Sequence, residues 1–351
     1  MTPFLAASKP EETRRILLWS ALLFLLSGAA QALHAQLPAS KHFRLEQFAQ
    51  GVYSAVALPG GWAICNAGII DMGSYSVVVD PFQSREAAAD LRHAAEHLTG
   101  HSVRYVINTH AHSDHVRGNQ AFRDTSEIIS TPTTLADIAR HEPADVKVEG
   151  STAPARLAEI EAQLARESDR RKHAELALQQ DYLEALVASL EGYTLSLPTI
   201  TFDRRMTLHG TRRSIDLVAF DRGHTASDLI VLLPEERIAF TGDLLFVECH
   251  PWLADGDPDK LIRTLGLLRG MEIILVVPGH GPVGDADHFT AMIQYLRDLE
   301  ALAQDALGHG VKEAELARIS VPAAYADWSL EHFFLPNLRF LYARAAGKGK
   351  P

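Results

Sequence analysis

The sequence predicts an α/β protein with four layers in the order α, β, β, α, and with a helical insertion. Two blocks of the chain each combine short apolar strands with an amphipathic helix, and both can share one core. A separate Ala- and Leu-rich stretch between them predicts the inserted helices. Hydrophobic residues make up 47% of the 351 residues and charged residues 22%, which is the balance of a globular chain.

The first block extends from Gly51 to Asn119. Its buried strands, which are apolar and rich in β-branched residues, are predicted at 63–70, 76–80 and 103–108. Residues 85–98 place alanine and leucine on one face and predict an amphipathic helix. The polar residues 109–119 predict a loop at the end of the last strand, where layered α/β proteins commonly bind their ligands.

The stretch from Ser151 to Gly192 predicts the helical insertion. It is rich in Ala, Leu, Glu, Arg and Gln, and its leucines recur at helical spacing. A polar interruption at 166–173 leaves two interpretations open, two helices or one long bent helix. We interpret the stretch as an amphipathic packing element or a lid rather than as an independent domain.

The second block contains five predicted strands, at 199–202, 214–220, 229–233, 238–241 and 273–277. Helices are predicted at 257–268 and 289–307. The two blocks together predict one domain at 42–310. Residues 311–351 predict a C-terminal helical segment that packs on the same domain and ends in a disordered tail from Ala345.

The N-terminus has the order of a secretory signal. Arg14 and Arg15 precede an apolar run at 16–26, and small residues lead to a small-x-small cleavage site at 30–32. These features predict a signal peptide at 1–32 and a periplasmic or secreted protein, and the paired arginines also fit a twin-arginine signal. An uncleaved membrane anchor is the alternative, although the strictly apolar core is short for a bilayer span.

Composition opposes several classes of protein. The net charge of −11 opposes nucleic-acid binding, because such proteins need a basic surface to displace counterions. The 2 cysteines exclude a cysteine-rich zinc module and a disulfide-dense scaffold. Export would place Cys65 and Cys249 in an oxidising compartment, and whether they pair depends on a distance that the sequence does not give.

The polar loop after the strand at 103–108 carries a dense set of metal-binding side chains. His110, His112, Asp114 and His115 lie within six residues, and imidazole and carboxylate groups are both zinc ligands. In extended backbone His110 and His112 point the same way and can hold one ion. Asp114 and His115 follow where the chain turns, so they can point towards a second ion.

Three further segments each have an apolar strand that leads to a glycine and a possible ligand. The ligands are His224, Asp243 and His280. Each one alone is typical of an ordinary turn. Four strand-end sites in one chain nevertheless predict a shared metal centre.

Over about residues 48–282 the sequence resembles the metallo-β-lactamase-fold superfamily of metallo-hydrolases. The resemblance rests on 66–80, the loop at 110–115, His224, Asp243 and His280, which follow one another in the family's order. It implies two metal sites that share Asp243 and a bridging hydroxide. The first site would be held by His110, His112 and His224, and the second by Asp114, His115 and His280.

The residue at position 243 distinguishes subgroups of the family. The commonest β-lactamase subclass has cysteine at this position, whereas this chain has Asp243. Its ligand set is therefore closest to that of glyoxalase II-like hydrolases. The resemblance implies an exported dinuclear zinc hydrolase whose hydroxide attacks the carbonyl of a small ester, thioester, lactone or lactam. Iron or manganese in place of zinc stays open. The alternatives are a β-lactamase that acts on β-lactam antibiotics and a mononuclear iron oxidoreductase similar to persulfide dioxygenases. We expect no nucleic-acid partner, and contact with a membrane only through an uncleaved signal.

Further site residues follow from the resemblance. Asp114 would also be catalytic, because it could deliver a proton to the leaving group. Asp80 matches a position that supports the metal loop without binding metal, although a plain strand-end turn residue is an equal interpretation. Trp62, His250 and Trp252 are candidates for the wall of the substrate pocket, with ordinary core packing as the alternative.

Overall fold

The computed structural model of the protein describes residues 37–347. The predicted signal peptide and the end of the predicted tail, 348–351, lie outside the described residues. Among the described residues, 39–347 belong to one compact unit. None of the described helices combines the length and the apolar character needed to cross a membrane.

Two sheets contain the strands of the described chain. The strands are β1 (Phe43–Ala49), β2 (Val52–Ala57), β3 (Ala67–Asp71), β4 (Ser76–Val79), β5 (Val103–Ile107), β6 (Glu127–Ser130), β7 (Ile200–Thr201), β8 (Arg205–His209), β9 (Ser214–Asp221), β10 (Ser227–Leu233), β11 (Ile238–Phe246) and β12 (Leu275–His280). The first sheet has the order β1-β2-β3-β4-β5-β6-β7, antiparallel from β1 to β4 and parallel from β4 to β7. The second sheet has the order β12-β11-β10-β9-β8, in which only β11 and β12 are parallel.

Helices cover the outer face of each sheet. The α-helices of the described residues are α1 (Arg85–Thr99), α2 (Ser113–Val116), α3 (Pro132–Leu164), α4 (Arg170–Leu190), α5 (Pro258–Arg269), α6 (Asp287–Gly308) and α7 (Phe334–Ala345). Helix α1 packs on β3, β4 and β5. Helices α5, α6 and α7 share one apolar cluster with β10, β11 and β12.

The main core lies between the two sheets. Ile70, Val77 and Ile107 from the first sheet meet Leu229 and Phe240 from the second, and all five are buried. Burial of such side chains away from water is the dominant favourable contribution to folding. The predicted order of layers, α, β, β, α, is therefore confirmed.

The strands differ from the prediction mainly at their ends. The strand predicted from residue 63 begins at Ala67, because Ile64 adopts a φ of 72°, outside the extended region. The predicted loop at 109–119 contains α2 and a 3₁₀ turn. Strand β11 continues to Phe246 through a bulge beside Gly242, so Asp243 lies inside a strand rather than after one.

The helical insertion consists of two helices, α3 and α4. The side chain of Asp169 caps α4 by accepting hydrogen bonds from the N–H groups of Arg171 and Lys172, and this cap ends the polar interruption. Helix α3 begins at Pro132, before the start expected at Ser151. Residues 132–150 therefore belong to the same helical element as the predicted insertion.

Candidate metal centre

The metal loop, residues 108–116, follows the parallel strand β5. His112 keeps extended backbone (φ −67°, ψ 145°) and caps the short helix α2, which contains Asp114 and His115. The change from extended to helical backbone turns the later pair away from the earlier one. This is the local geometry that the sequence predicted for two separate ligand directions.

The other three predicted ligands come from the second sheet. His224 follows β9, Asp243 lies in β11 beside the bulge, and His280 ends β12. Strand β12 pairs parallel with β11. Strand β9 runs in the same direction as β11, because β10 lies between them and is antiparallel to both. The carboxyl ends of β9, β11 and β12 therefore meet at one edge of the sheet, opposite the metal loop.

All seven predicted ligands converge in two groups. The first group is His110, His112, His224 and Asp243, and the second is Asp114, His115 and His280. Within each group the possible ligand atoms lie within 4.8 Å of one another. Each group could therefore hold one metal ion, with small side-chain shifts bringing its atoms to the zinc–nitrogen bond length of about 2.0–2.1 Å.

Asp243 lies between the two groups. Its Oδ2 is 3.1 Å from His224 Nε2 and 3.4 Å from His280 Nε2. Its Oδ1 is 3.2 Å from His115 Nε2. One carboxylate therefore faces ligands of both groups, as a bridging ligand must.

Several ligand atoms of the cluster fit divalent ions. His110 Nε2, His115 Nε2 and Asp243 Oδ1 are buried and have no hydrogen-bond partner among the described residues. His112 Nδ1 and His224 Nε2 lie 3.0 Å apart. Because buried polar atoms are normally paired, converging unpaired nitrogen and oxygen atoms indicate a site for cations that prefer these ligands.

Asp80 holds the metal loop in place. Its carboxylate accepts hydrogen bonds from the Thr109 N–H (2.8 Å), the Thr109 hydroxyl (2.7 Å) and His115 Nδ1 (2.8 Å). The last bond fixes the orientation of the His115 ring, so that its Nε2 faces Asp114 (3.5 Å) and Asp243 (3.2 Å). Asp80 had two interpretations, support of the metal loop and a plain strand-end turn residue. These three hydrogen bonds favour support of the metal loop.

Asp255, which no sequence pattern indicated, supports His112 in the same way. Its Oδ2 accepts hydrogen bonds from His112 Nε2 (3.2 Å) and from the indole N–H of Trp252 (2.7 Å). His112 can therefore turn its Nδ1 lone pair towards the first group. Asp255 follows Asp243 by twelve residues in a loop, where an isolated aspartate carries no motif.

Replacing Asp255 with alanine should weaken metal binding at the first group about 10- to 100-fold, because His112 loses the bond that orients it. Titration with zinc in the presence of a competing chelator measures this change. Asp285→Ala is the matched control, since Asp285 is an exposed aspartate that accepts a hydrogen bond from His288, outside the cluster. Equal zinc affinity in both variants would contradict the role of Asp255.

Without ions the cluster is strongly polarised. Burial lowers the pKa of His280, but the nearby Asp243 and Asp114 carboxylates outweigh it and raise this pKa to about 9. Burial works against ionisation of Asp114, yet His115 and His280 hold its pKa at about 2. His280 therefore carries a proton at neutral pH in the metal-free protein, and an arriving cation replaces that proton.

A large cavity, with a volume of about 1340 Å³, opens onto the centre. Asp114, Asp243 and His280 lie in its wall, and Trp252 and Phe333 pack against each other beside them. Typical small-molecule sites are about 300–1,000 Å³, so this cavity exceeds that range. The predicted wall residue Trp252 is placed there.

Trp62 and His250, also predicted for the wall, lie elsewhere. The Trp62 ring packs against His42 and Lys41, and its neighbours Pro59 and Gly61 line the cavity instead. His250 is fully buried among aromatic rings, with its Nδ1 2.9 Å from the Tyr295 hydroxyl. Its backbone follows β11 into the core beneath α6, so the imidazole does not reach the cavity.

The two cysteines are free and form no disulfide. The Cys65 thiol donates a hydrogen bond to the backbone carbonyl of Asp114 (3.0 Å), and Cys249 Sγ lies 3.0 Å from Ser329 Oγ. Burial raises the pKa of both thiols to about 12, so both stay protonated at neutral pH. Packing is thus the role that the structure gives to Cys249.

The αββα sandwich and its histidine–aspartate cluster define the class, a metal-binding α/β protein. A sequence profile described as the metallo-beta-lactamase superfamily matches residues 60–280. The match spans more than half of the chain and includes all seven predicted ligands. The chain belongs to the metallo-beta-lactamase superfamily.

Similar proteins agree with this membership. The lactamase-like protein nscB of Neosartorya fischeri is 33% identical over 97 residues, which cover 27% of this chain and only 28% of that protein. The structure of a metallo-beta-lactamase from Pontibacter korlensis matches 73% of this chain and 99% of its own, with a TM-score of 0.53 and 16% identity. DIM-1 metallo-beta-lactamase matches 73% and 98%, with a TM-score of 0.51 and 16% identity. At such identities the two structures support the fold alone.

Proposed function

We propose that this protein is an exported hydrolase that uses two zinc ions to cleave an ester, thioester, lactone or lactam. The observation that carries the proposal is the position of Asp243, whose two carboxylate oxygens face ligands of both groups at 3.1–3.4 Å. The donor set of imidazole and carboxylate groups favours zinc. The signal-like N-terminus supports export to the periplasm or the exterior.

The residues of the centre would have two roles, metal binding and orientation of the ligands. His110, His112 and His224 would hold one ion, Asp114, His115 and His280 the other, and Asp243 both. When bound, the ions lower the pKa of water to about 7 and polarise the carbonyl of the substrate. Asp80 and Asp255 keep the imidazoles of His115 and His112 in the orientation that binding needs.

Asp114 is the candidate for proton transfer. Its carboxylate lies in the cavity wall, 3.2 Å from His280 Nε2. From this place the carboxylate would accept the proton that the attacking water loses and pass it to the leaving group as the bond breaks. The arrangement requires no serine or cysteine nucleophile, and the two buried thiols stay protonated.

A panel of substrates tests the proposal. The zinc-loaded protein is assayed with an ester, a thioester, a lactone and a β-lactam, and oxygen uptake is followed with a persulfide. We expect hydrolysis of at least one carbonyl substrate, two zinc ions per chain and no oxygen uptake. In His112→Ala, hydrolysis should fall about a thousandfold, because the first group loses a ligand.

His93→Ala is the matched control, since His93 is an exposed histidine of α1 outside the centre. It should retain full activity and both ions. Full hydrolysis in His112→Ala would show that the site is misassigned. Oxygen uptake with one iron per chain, and no hydrolysis, would replace the proposal by the oxidoreductase alternative.

A further inference from the structure

The helical pair α3–α4 forms one side of the cavity over the metal centre. Ile138 and Ile160 from α3, and Leu178, Tyr182 and Leu183 from α4, line the cavity. Loops across the cavity contribute further apolar side chains, which are Leu58, Pro59, Trp252, Leu330 and Phe333. Charged side chains of the helical pair, among them Asp137, Asp145 and Arg156, also line the cavity, but apolar atoms make up most of its lining. A largely apolar space therefore extends from the metal ligands to the helical pair.

Arg117 joins this helical pair to the metal loop. It lies two residues after His115, and its guanidinium is fully buried. Its Nε donates to Glu142 Oε1 (2.5 Å), and its NH2 group donates to Glu149 Oε2; both glutamates belong to α3. Taking an arginine out of water is costly unless its partners are close, so the three side chains form a strong local constraint.

The contacts of Arg117 continue into α4. Its NH1 group lies 3.4 Å from the Ser189 hydroxyl, which also accepts a hydrogen bond from the Gln83 amide (3.1 Å). Gln83 in turn accepts a hydrogen bond from the Ser113 hydroxyl in the metal loop (3.4 Å). A buried polar chain thus connects both helices to the loop that contains four predicted ligands.

Two further contacts hold α4 at the rim of the cavity. Asp181 accepts a hydrogen bond from the Gly60 N–H (2.7 Å), which ties α4 to the loop between β2 and β3. Glu175 accepts one from the Glu331 N–H (2.9 Å), and Arg171 pairs with the Glu331 side chain. The contacts of Asp181 and of Glu331 are partly or fully exposed, whereas the Arg117 side chain is buried. Arg117 is therefore the most deeply buried residue that holds the helical pair in place.

We propose that α3 and α4 form a cover that binds the bulky apolar part of the substrate, and that Arg117 is the positioning residue that docks this cover on the metal loop. The inference rests on the proposed hydrolase function and names its substrate class, carbonyl compounds with a long apolar chain or ring system. The cavity volume of about 1340 Å³ accommodates such a substrate. Arg117 acts through the cover and touches neither ions nor reacting atoms.

The experiment compares two esters in the zinc-loaded full chain, 4-nitrophenyl acetate and 4-nitrophenyl octanoate. In Arg117→Met we expect KM for the octanoate to rise about tenfold, with little change for the acetate, because only the longer chain reaches the cover. Arg117→Lys should restore part of the loss. Zinc content, measured alongside, should stay at the wild-type value.

Limited digestion with trypsin provides a readout that does not depend on activity. The helical pair carries exposed cleavage sites at Arg140, Lys147 and Arg166. Trypsin should cleave these sites faster in Arg117→Met than in wild type. Added octanoate anion should slow the cleavage in wild type only. If wild type hydrolyses neither these esters nor any substrate of the panel above, the hydrolase function fails, while the digestion result still decides whether Arg117 docks the cover.

Arg213→Met is the matched control, since Arg213 is a buried arginine paired with Glu236 (2.9 Å) outside the cavity. It should leave the ratio of the two KM values and the digestion of the helical pair unchanged. If Arg117→Met fails to fold, the variant Glu149→Gln is used instead. It removes the charge of Glu149, a partly exposed partner of Arg117. A folded Arg117→Met or Glu149→Gln with wild-type KM values and wild-type digestion overturns the proposal.

Discussion

In an Asp243→Ala variant we expect hydrolysis to fall by about a thousandfold or more, because one carboxylate serves both groups of ligands. Asp243 lies 3.1 Å from His224, 3.2 Å from His115 and 3.4 Å from His280. Its removal deprives each group of a ligand and also leaves buried imidazoles without the carboxylate that faces them. Both ions should therefore bind more weakly.

Metal analysis after dialysis, together with the rate on the best substrate of the panel, measures this loss. Asp216→Ala is a suitable control, because Asp216 is a buried carboxylate paired with Arg205 (2.6 Å) on the opposite edge of the second sheet. It should lose stability yet keep both ions. Two tightly held ions in Asp243→Ala would contradict a bridging role.

Asp80→Ala should be the most destabilising change near the centre. The substitution leaves three buried donors without an acceptor, two from Thr109 and one from His115. Asp80 also adopts a φ of 51°, a conformation that aspartate tolerates better than alanine. We expect a loss of about 3–5 kcal/mol in the free energy of unfolding and about 10- to 100-fold weaker metal binding.

Denaturant unfolding and zinc titration separate the two effects. Asp71→Ala is the control, since Asp71 is a buried aspartate at the far end of β3 that pairs with Arg212 (2.8 Å). We expect Asp71→Ala to lose stability without any change in zinc affinity. If Asp80→Ala kept wild-type zinc affinity, the hydrogen bonds to the metal loop would have no part in binding.

The sequence indicated which side chains lie together because most of them stand at strand ends. Strands such as β5 and β12 are short apolar runs, and the polar residues at or after their ends are visible in the sequence. Parallel strands then bring those residues to one edge, which gave the four-layer fold and the two groups. The contact of Asp243 with both groups depends on the packing of the two sheets.

The residues that the sequence did not reveal depend on tertiary contacts. Asp255 lies in an irregular loop, and only the fold brings its carboxylate to His112. Arg117 is a charged residue of the kind that is almost always exposed unless it is paired, and its partners lie 25 and 32 positions away. For Trp62 and His250, aromatic character alone could not distinguish the cavity wall from packing elsewhere.

Diffraction from crystals of the zinc-loaded protein, recorded at the zinc absorption edge, tests the central assignment most directly. Two anomalous peaks should appear, one within each group of ligands, with metal–ligand distances of about 2.0–2.2 Å. Asp243 should contact both peaks. A single peak would contradict the assignment of a two-metal centre. Two peaks would also contradict it if His224, Asp243 or His280 pointed away from both.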